Sequence, residues 1–336
     1  MYLLSVKHLT VHFHTRNGII RAVDDVSFDV GSGETLAIVG ESGSGKSVAV
    51  YSLLDLIPRP PGKIESGIAL FEGINLIGRK EKELQKIRGN DIAIIFQDPM
   101  TSLNPYLTIG EQLMEPIIYH QQKSRKKAKI AAINMLSEVG IKEAKKKIDN
   151  YPHEFSGGMQ QRVMIAMALI AKPKLLICDE PTTALDVTTQ AQIIKLIQKI
   201  QIKYKIAVVF ISHDLGVVAG IANNIVVMRD GKIVEKGTAE DIFYRPKNDY
   251  TKSLLSSVPS GQKISKPYNN QDVLLRVKSL VKYYASENKS ISWLPYKKNK
   301  EQKLIKAVDC ISFEIKRGEI FGVVGESGSG KSTLGR

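Results

Sequence analysis

The chain has 336 residues, 43% hydrophobic and 24% charged, an ordinary globular composition that excludes collagen-like, low-complexity and disordered classes. Forty-eight Lys and Arg against 34 Asp and Glu leave a net charge of +14, a balance suited to nucleic acid, an anionic membrane face or phosphorylated ligands. No run approaches the roughly 18 apolar residues of a membrane helix, and the N-terminus has no charged, apolar and small-residue signal pattern, so a protein kept on the cytoplasmic side is expected.

In chain order, Val11 to Phe13 and Ala22 to Val30 read as strands by apolar alternation. Thr35 to Val39 reads as a buried strand feeding a Gly-rich turn, and Lys46 to Leu56 as a helix. Ile92 to Phe96, Leu175 to Cys178 and Ala207 to Ile211 are short, continuous apolar runs of the kind that fill a sheet covered on both faces. The stretch from Gly110 to Ala171 is rich in helix, with Ser124 to Val139 and Met159 to Ala171 at helical spacing. An insertion of that kind forms a helical subdomain on an α/β core. Cys178 and Cys310 lie far apart in apolar surroundings, so neither a disulfide framework nor a C-x-x-C metal site is available. Both are expected as packed core thiols.

The sequence repeats itself. Gly40-Glu-Ser-Gly-Ser-Gly-Lys-Ser47 recurs from Gly325 to Ser332, and 16 of the 26 positions from Ala22 to Ser47 are identical at that offset. Upstream, Val6-Lys-His-Leu9 answers Val277-Lys-Ser-Leu280, with extra residues between Ala285 and Lys306. The expected organisation is a first domain over residues 1–259, a linker over 260–271 and the start of a second copy over 272–336. Because that copy stops shortly after its Gly-rich motif, a truncated tandem domain is expected. Charge follows this division: residues 261–336 hold 15 basic and 7 acidic side chains, leaving +6 on the first domain. The surplus therefore does not argue for nucleic acid.

Gly40-x-x-x-x-Gly45-Lys46-Ser47 fits a phosphate-binding loop. Its backbone N–H groups, from Gly40 through Glu41, Ser42, Gly43, Ser44 and Gly45, turn towards phosphate oxygens. Lys46 then reaches the outer phosphates and the Ser47 hydroxyl ligates Mg²⁺. Leu175-Leu-Ile-Cys-Asp179-Glu180 is an apolar strand ending in two acids, at the ligand edge of an open α/β sheet. Asp179 is expected to hold Mg²⁺ through water, and Glu180 to polarise a water attacking a phosphorus.

Phe155-Ser-Gly-Gly-Met-Gln-Gln161 resembles the LSGGQ signature of ATP-binding cassette ATPases. The order of phosphate loop, Gln97, signature, Asp179-Glu180, Ala184-Leu-Asp186 and His213 is that family's order. The resemblance implies an α/β phosphate-loop NTPase core with an N-terminal antiparallel β subdomain, a helical signature subdomain over about 98–172 and ATP with Mg²⁺ as ligands. It implies Gln97 as the Q-loop residue touching Mg²⁺ and reporting to a membrane partner, Asp186 as the D-loop residue and His213 as the switch histidine on the γ-phosphate. Phe13 takes the place of the aromatic that stacks on adenine, with Tyr284 its counterpart. Ser156, Gly157, Gly158 and Met159 would serve the γ-phosphate held by another cassette. In the second copy Gly325, Gly330, Lys331 and Ser332 take the loop positions.

Gln97-Asp-Pro-Met-Thr-Ser-Leu-Asn-Pro105, Tyr151-Pro-His-Glu-Phe-Ser-Gly-Gly-Met159 and Asp179-Glu-Pro-Thr-Thr-Ala-Leu-Asp-Val187 resemble the ATPase subunits of dipeptide, oligopeptide and nickel importers. Tyr250-Thr-Lys-Ser-Leu-Leu-Ser-Ser-Val-Pro259 is similar to their C-terminal extension, expected over about 239–259. The tandem layout is similar to fused two-cassette ATPases such as the glutathione importer's. The resemblance implies an ATP-hydrolysing subunit that energises import of peptides or related solutes. Its partners would be permease subunits, an associated substrate-binding protein and a second cassette, from a homodimer or a separate subunit, at the cytoplasmic face of the inner membrane. No complete hydrolytic site is expected within one chain. The alternatives are a soluble tandem ATPase acting on ribosomes or nucleic acid, and an inactive fragment of a tandem transporter ATPase.

Overall fold

Parallel strands need both faces covered, so their sequences are apolar throughout and their connections run through helices. The computed structural model of the chain describes residues 2–183, 185–257, 272–285, 304–326 and 328–336. The expected linker, the extra residues over 286–303 and Ala184 lie outside the described residues. The chain divides into two units, residues 1–260 and 261–336.

In the first unit β1 (Tyr2–Thr15) and β2 (Gly18–Gly31) form a long hairpin, and β3 (Thr35–Val39) runs through the Gly-rich loop into α1 (Lys46–Tyr51). Next come β4 (Gly62–Phe71), β5 (Ile74–Asn75), α2 (Glu81–Ile87) and β6 (Ile92–Ile95). A run of helices follows: α3 (Pro99–Ser102), α4 (Ile109–Gln121), α5 (Arg125–Glu138), α6 (Ala144–Lys147) and α7 (Gly157–Leu169). The unit continues with β7 (Leu175–Asp179), α8 (Val187–Tyr204), β8 (Ala207–Ser212), α9 (Leu215–Ala219), β9 (Asn224–Arg229) and β10 (Lys232–Thr238), and closes with α10 (Ala239–Tyr244) and α11 (Asp249–Ser256). The second unit holds β11 (Val273–Ala285), β12 (Leu304–Lys316) and α12 (Lys331–Gly335).

One sheet, ordered β2-β1-β4-β5, is antiparallel; the other, ordered β10-β9-β3-β8-β7-β6, is parallel apart from its β10 edge. Side chains alternate between the faces of the parallel sheet. Ile38, Ile177, Val209 and Ile211 share a core with the antiparallel sheet, whereas Cys178, Val208 and Phe210 pack with Leu113, Leu136 and Val163 of the helical insertion. Truncating a ring as buried as Phe210, which is fully enclosed, costs about 3–5 kcal/mol. Ala37 and Val39 pack with Leu215, Val218 and Ile242 in a third cluster. Because β3, β6, β7 and β8 run parallel, their carboxyl ends lie along one edge, and each is followed there by a polar residue or loop.

Three expectations change. β1 extends well beyond Val11–Phe13, because bulges between Val6 and Leu9 and at Val11 break the alternation that would have marked it. The helix expected to Leu56 is α-helical only to Tyr51 and continues as a 3₁₀ turn over Ser52–Leu54, ending at Asp55 with φ of 54°. Cys178 is buried as expected, but Cys310 is exposed. It lies on the two-stranded β11–β12 hairpin, where the described residues supply no layer over it.

Candidate active site

The Gly-rich loop is shaped by two close approaches. Gly40 has φ of +151° and Gly45 of +94°; a Cβ on either would strike a backbone carbonyl, of Met228 or Ala22 respectively. Only glycine is free to take this path. Lys46, the first residue of α1, is buried at 5% exposure. Its Nζ donates to the Gly40 and Glu41 carbonyls, at 2.9 and 2.8 Å, and reaches the Ser44 Oγ at 3.5 Å. Burial holds the ammonium below its ordinary pKa, against the opposing pull of Glu180, Asp179 and Glu41.

Asp179, at the end of β7, faces α1. Ser47 Oγ donates to its Oδ1 at 2.9 Å and Tyr51 OH to its Oδ2 at 2.5 Å. Ser47 and Tyr51 are four residues apart, hence on one helix face. Burial raises the Asp179 carboxyl above its usual range; the bonds from Tyr51 and Ser47 oppose the shift, nearby Glu180 adds to it, and Lys46 opposes it. Burial, together with the bond to Asp179, pushes the Tyr51 phenol well up.

Glu180 follows in the left-handed region, at φ of 45°, a conformation that costs a non-glycine residue of order 1–3 kcal/mol. Its Oε2 receives Gln97 Nε2 at 3.2 Å and Thr183 Oγ1 at 3.0 Å, and faces His213 Nδ1 at 3.1 Å. Gln97 follows β6, Glu180 follows β7 and His213 follows β8, so three strand ends meet at this one carboxylate. A cavity of about 660 Å³ opens here, and its walls include Glu41, Ser42, Gly43, Gly45, Lys46 and Ser47 of the loop as well as Gln97, Glu180, Thr183 and His213. That volume suits a small-molecule ligand.

The donor set fits Mg²⁺ in part. Ser47 Oγ and Asp179 Oδ1 are hard oxygens already in contact, and Mg²⁺ commonly uses one or two protein oxygens with waters and phosphates for the rest. Among the described residues there is no group of three or more His, Cys, Asp or Glu that could hold a metal alone. Gln97, the third expected ligand, directs its amide to Glu180.

Of the other expected residues in the first unit, Phe13, Ser156 to Met159 and Asp186 lie away from the cavity walls. Phe13 is half-buried on β1 and packs against the core of the antiparallel sheet; its place opposite Gly62 and Ile20 comes from strand pairing. Ser156 is the exposed N-cap of α7, and Gly157, Gly158 and Met159 open that helix. Gly158 is closed off by Thr189 of α8, which a Cβ would meet at 2.9 Å. Asp186 caps α8, accepting from Thr189 N at 2.9 Å and Thr189 Oγ1 at 2.8 Å. These bonds hold its carboxyl below the usual range. In the second unit Lys331 Nζ donates to Gly325 O and Glu326 O at 2.6 and 2.7 Å, Gly330 caps α12 and Ser332 is exposed.

Tyr51 and Thr183 were not expected in the site. Tyr51 is signalled by its four-residue spacing from Ser47, and Thr183 by the tight turn after Glu180, where Thr183 N donates to Glu180 O at 3.1 Å. Tyr250 and Leu254 of α11 also reach the loop and cavity, a long-range contact without a local signal.

The sequence model of the ABC transporter family matches residues 23–183 and 308–336. The chain is 53% identical over 258 residues to the oligopeptide transport ATP-binding protein OppD of Bacillus subtilis, covering 77% of this chain and 72% of that one. It is 46% identical over 340 residues to the peptidoglycan transport ATP-binding protein YejF of Agrobacterium fabrum, covering 99% of this chain and 60% of that relative's length. Among solved structures, the dimeric structure of MJ0796, a bacterial ABC transporter cassette, matches with a TM-score of 0.63 at 30% identity, over 70% of this chain and 98% of that one. By the family model and these relatives the chain belongs to the ABC transporter family as an ATP-binding, ABC-type ATPase.

Proposed function

We propose that the Lys46 cavity is the hydrolytic MgATP site and that the chain energises an importer of short peptides or related small solutes. The observation that carries the site is the convergence of Gln97, Thr183 and His213 on Glu180 Oε2, beside a buried lysine and the Ser47–Asp179 pair. In this reading the loop amides and Lys46 hold the phosphates, and Ser47 and Asp179 hold Mg²⁺. The bound ion supplies charge neutralisation at the phosphate oxygens. Glu180 orients the attacking water and takes its proton, while His213 and Gln97 keep the carboxylate aimed. Positioning and electrostatics supply most of the rate enhancement in such chemistry.

Ser156 to Met159 lie outside this cavity, at the start of a helix whose N–H groups and dipole suit a phosphate. We read them as serving ATP held by another cassette, from a second copy or a separate subunit. MJ0796, solved as a dimer, supports that reading. The transport assignment is supported by the names of the relatives, OppD and YejF. An apolar groove lined by Leu54, Phe96, Pro116, Met164 and Met167 borders Gln97 in sequence and suits a permease segment. Among the described residues no helix is long and apolar enough to cross a membrane; peripheral association at the cytoplasmic face of the inner membrane comes from that partner.

The test is Glu180→Gln. Hydrolysis should fall by about 10²–10⁴-fold while MgATP binding persists, and the wild-type rate should rise more steeply than linearly with protein concentration. Unchanged turnover in Glu180→Gln contradicts the site, and a strictly linear rate contradicts the pairing.

A further inference from the structure

We propose that α11 is a working part of the nucleotide site, with Tyr250 positioning the phosphate loop and Leu254 forming a wall against the bound nucleotide. The proposal rests on reading the Lys46 cavity as the MgATP site.

Three contacts carry it. The Glu41 N–H donates to Tyr250 OH at 3.2 Å across 209 residues of sequence. The Gly40 carbonyl, in the same peptide group as that N–H, accepts from Lys46 Nζ at 2.9 Å, so the Gly40–Glu41 peptide is gripped on both sides. Leu254, four residues after Tyr250 and therefore on the same helix face, lines the cavity with Ala22, Gly45 and Val48. The helix thus contributes a hydrogen bond to the loop and apolar surface to the pocket.

The surroundings fix α11 where those contacts need it. The Tyr250 ring lies under the Arg229 guanidinium, 4.8 Å from the ring centroid. Arg229 ends β9, directly after Met228, whose carbonyl is the close neighbour of Gly40. Lys247 N and Asn248 N donate to the Glu235 carboxylate of β10 at 2.7 and 3.1 Å, and Asn248 Oδ1 accepts from Tyr250 N at 2.9 Å. Thr251 is completely buried. Tyr250, Leu254 and Leu255 pack on the cluster that contains Val39, the last residue before the loop. A helix anchored on β10 and leaning on the end of β3 transmits its position to the peptide that Lys46 must release when it turns to a phosphate. Loss of the Tyr250 hydroxyl leaves the Glu41 amide free to rotate, which loosens a loop whose donors need fixed directions.

The experiment is MgATP titration of the full chain by calorimetry, paired with thermal melting of the nucleotide-free protein. Tyr250→Phe keeps the ring on Arg229 and removes only the hydroxyl; its dissociation constant should rise about three- to tenfold, with the melting temperature within about 2 °C of wild type. Leu254→Ala should weaken binding in the same direction. Lys252→Ala, on an exposed side chain paired with Asp249, should stay within about twofold. Unchanged affinity in both Tyr250→Phe and Leu254→Ala overturns the proposal, as does a lowered melting temperature with unchanged affinity. No MgATP binding by the unsubstituted chain sinks the nucleotide reading together with it, so the two failures are told apart.

Discussion

The chain holds the same eight residues twice, Gly40–Ser47 and Gly325–Ser332, in different settings. At the three glycines the backbones agree, with φ of 151°, 82° and 94° in the first and 156°, 82° and 92° in the second. In both, the lysine ammonium donates to the carbonyls of the first two loop residues. The segments before them do not agree. Leu36 to Val39 form the middle of a parallel sheet and are at most 4% exposed. Their counterparts, Phe321 to Val324, form no strand; Val324 is 93% exposed, and Phe321 rests by stacking on Phe313 of β12. The loop's shape is therefore local, written in glycine positions and the reach of one lysine. The strand is not, because a parallel strand exists only through its neighbours. Nor are the surroundings: Lys46 has Glu180 and His213 on its cavity and Asp179 close by, and the described residues of the second unit offer no counterpart to those three.

Hydrogen exchange sharpens this contrast most. Amides of 36–39 should exchange at least about a thousandfold more slowly than those of 321–324, since the former open only with the unit's core. Comparable rates would break the distinction between paired and unpaired segments. Thiol labelling follows. Cys310 should react with a small maleimide within minutes, whereas buried Cys178, whose thiol burial pushes up, should be slower by about a hundredfold or more until the protein unfolds. Equal rates would contradict the packing of β7.

A smaller effect comes from Asp179. Burial raises its folded-state pKa above the unfolded 3.8, so the folded chain holds a proton through that window which the unfolded chain lacks. Nucleotide-free stability should fall as pH rises through the raised value, leaving a penalty at neutral pH. Asp179→Asn should then raise the melting temperature at pH 7 by about 2–4 °C and flatten that pH dependence, while weakening Mg²⁺-dependent nucleotide binding. A melting temperature that falls would show that the Ser47 and Tyr51 bonds outweigh the desolvation cost.

Much of this was legible in sequence because the site is built from strand ends. Each of Gln97, Asp179 and His213 sits at or just past a short apolar run, and parallel strands bring such ends to one edge. The antiparallel hairpin was harder to read: paired bulges place His8 and Asp25 at φ of 51° and 56° and shift the alternation. The second hairpin repeats the device at Ser279 and Cys310, φ of 47° and 53°, which turns an apparently core cysteine outward. Motif position alone points to Phe13, and strand pairing packs it beside Gly62. The contacts of Tyr250 and Leu254 were invisible because they join residues some 200 positions apart.

If the surroundings of its lysine decide which loop holds nucleotide, the two loops must differ in binding. Calorimetric MgATP binding to Lys46→Ala and to Lys331→Ala tests it most directly. One nucleotide should bind per chain, with an affinity reduced at least about a hundredfold in Lys46→Ala and within about twofold of wild type in Lys331→Ala. Binding retained in Lys46→Ala, or lost in Lys331→Ala, would contradict it.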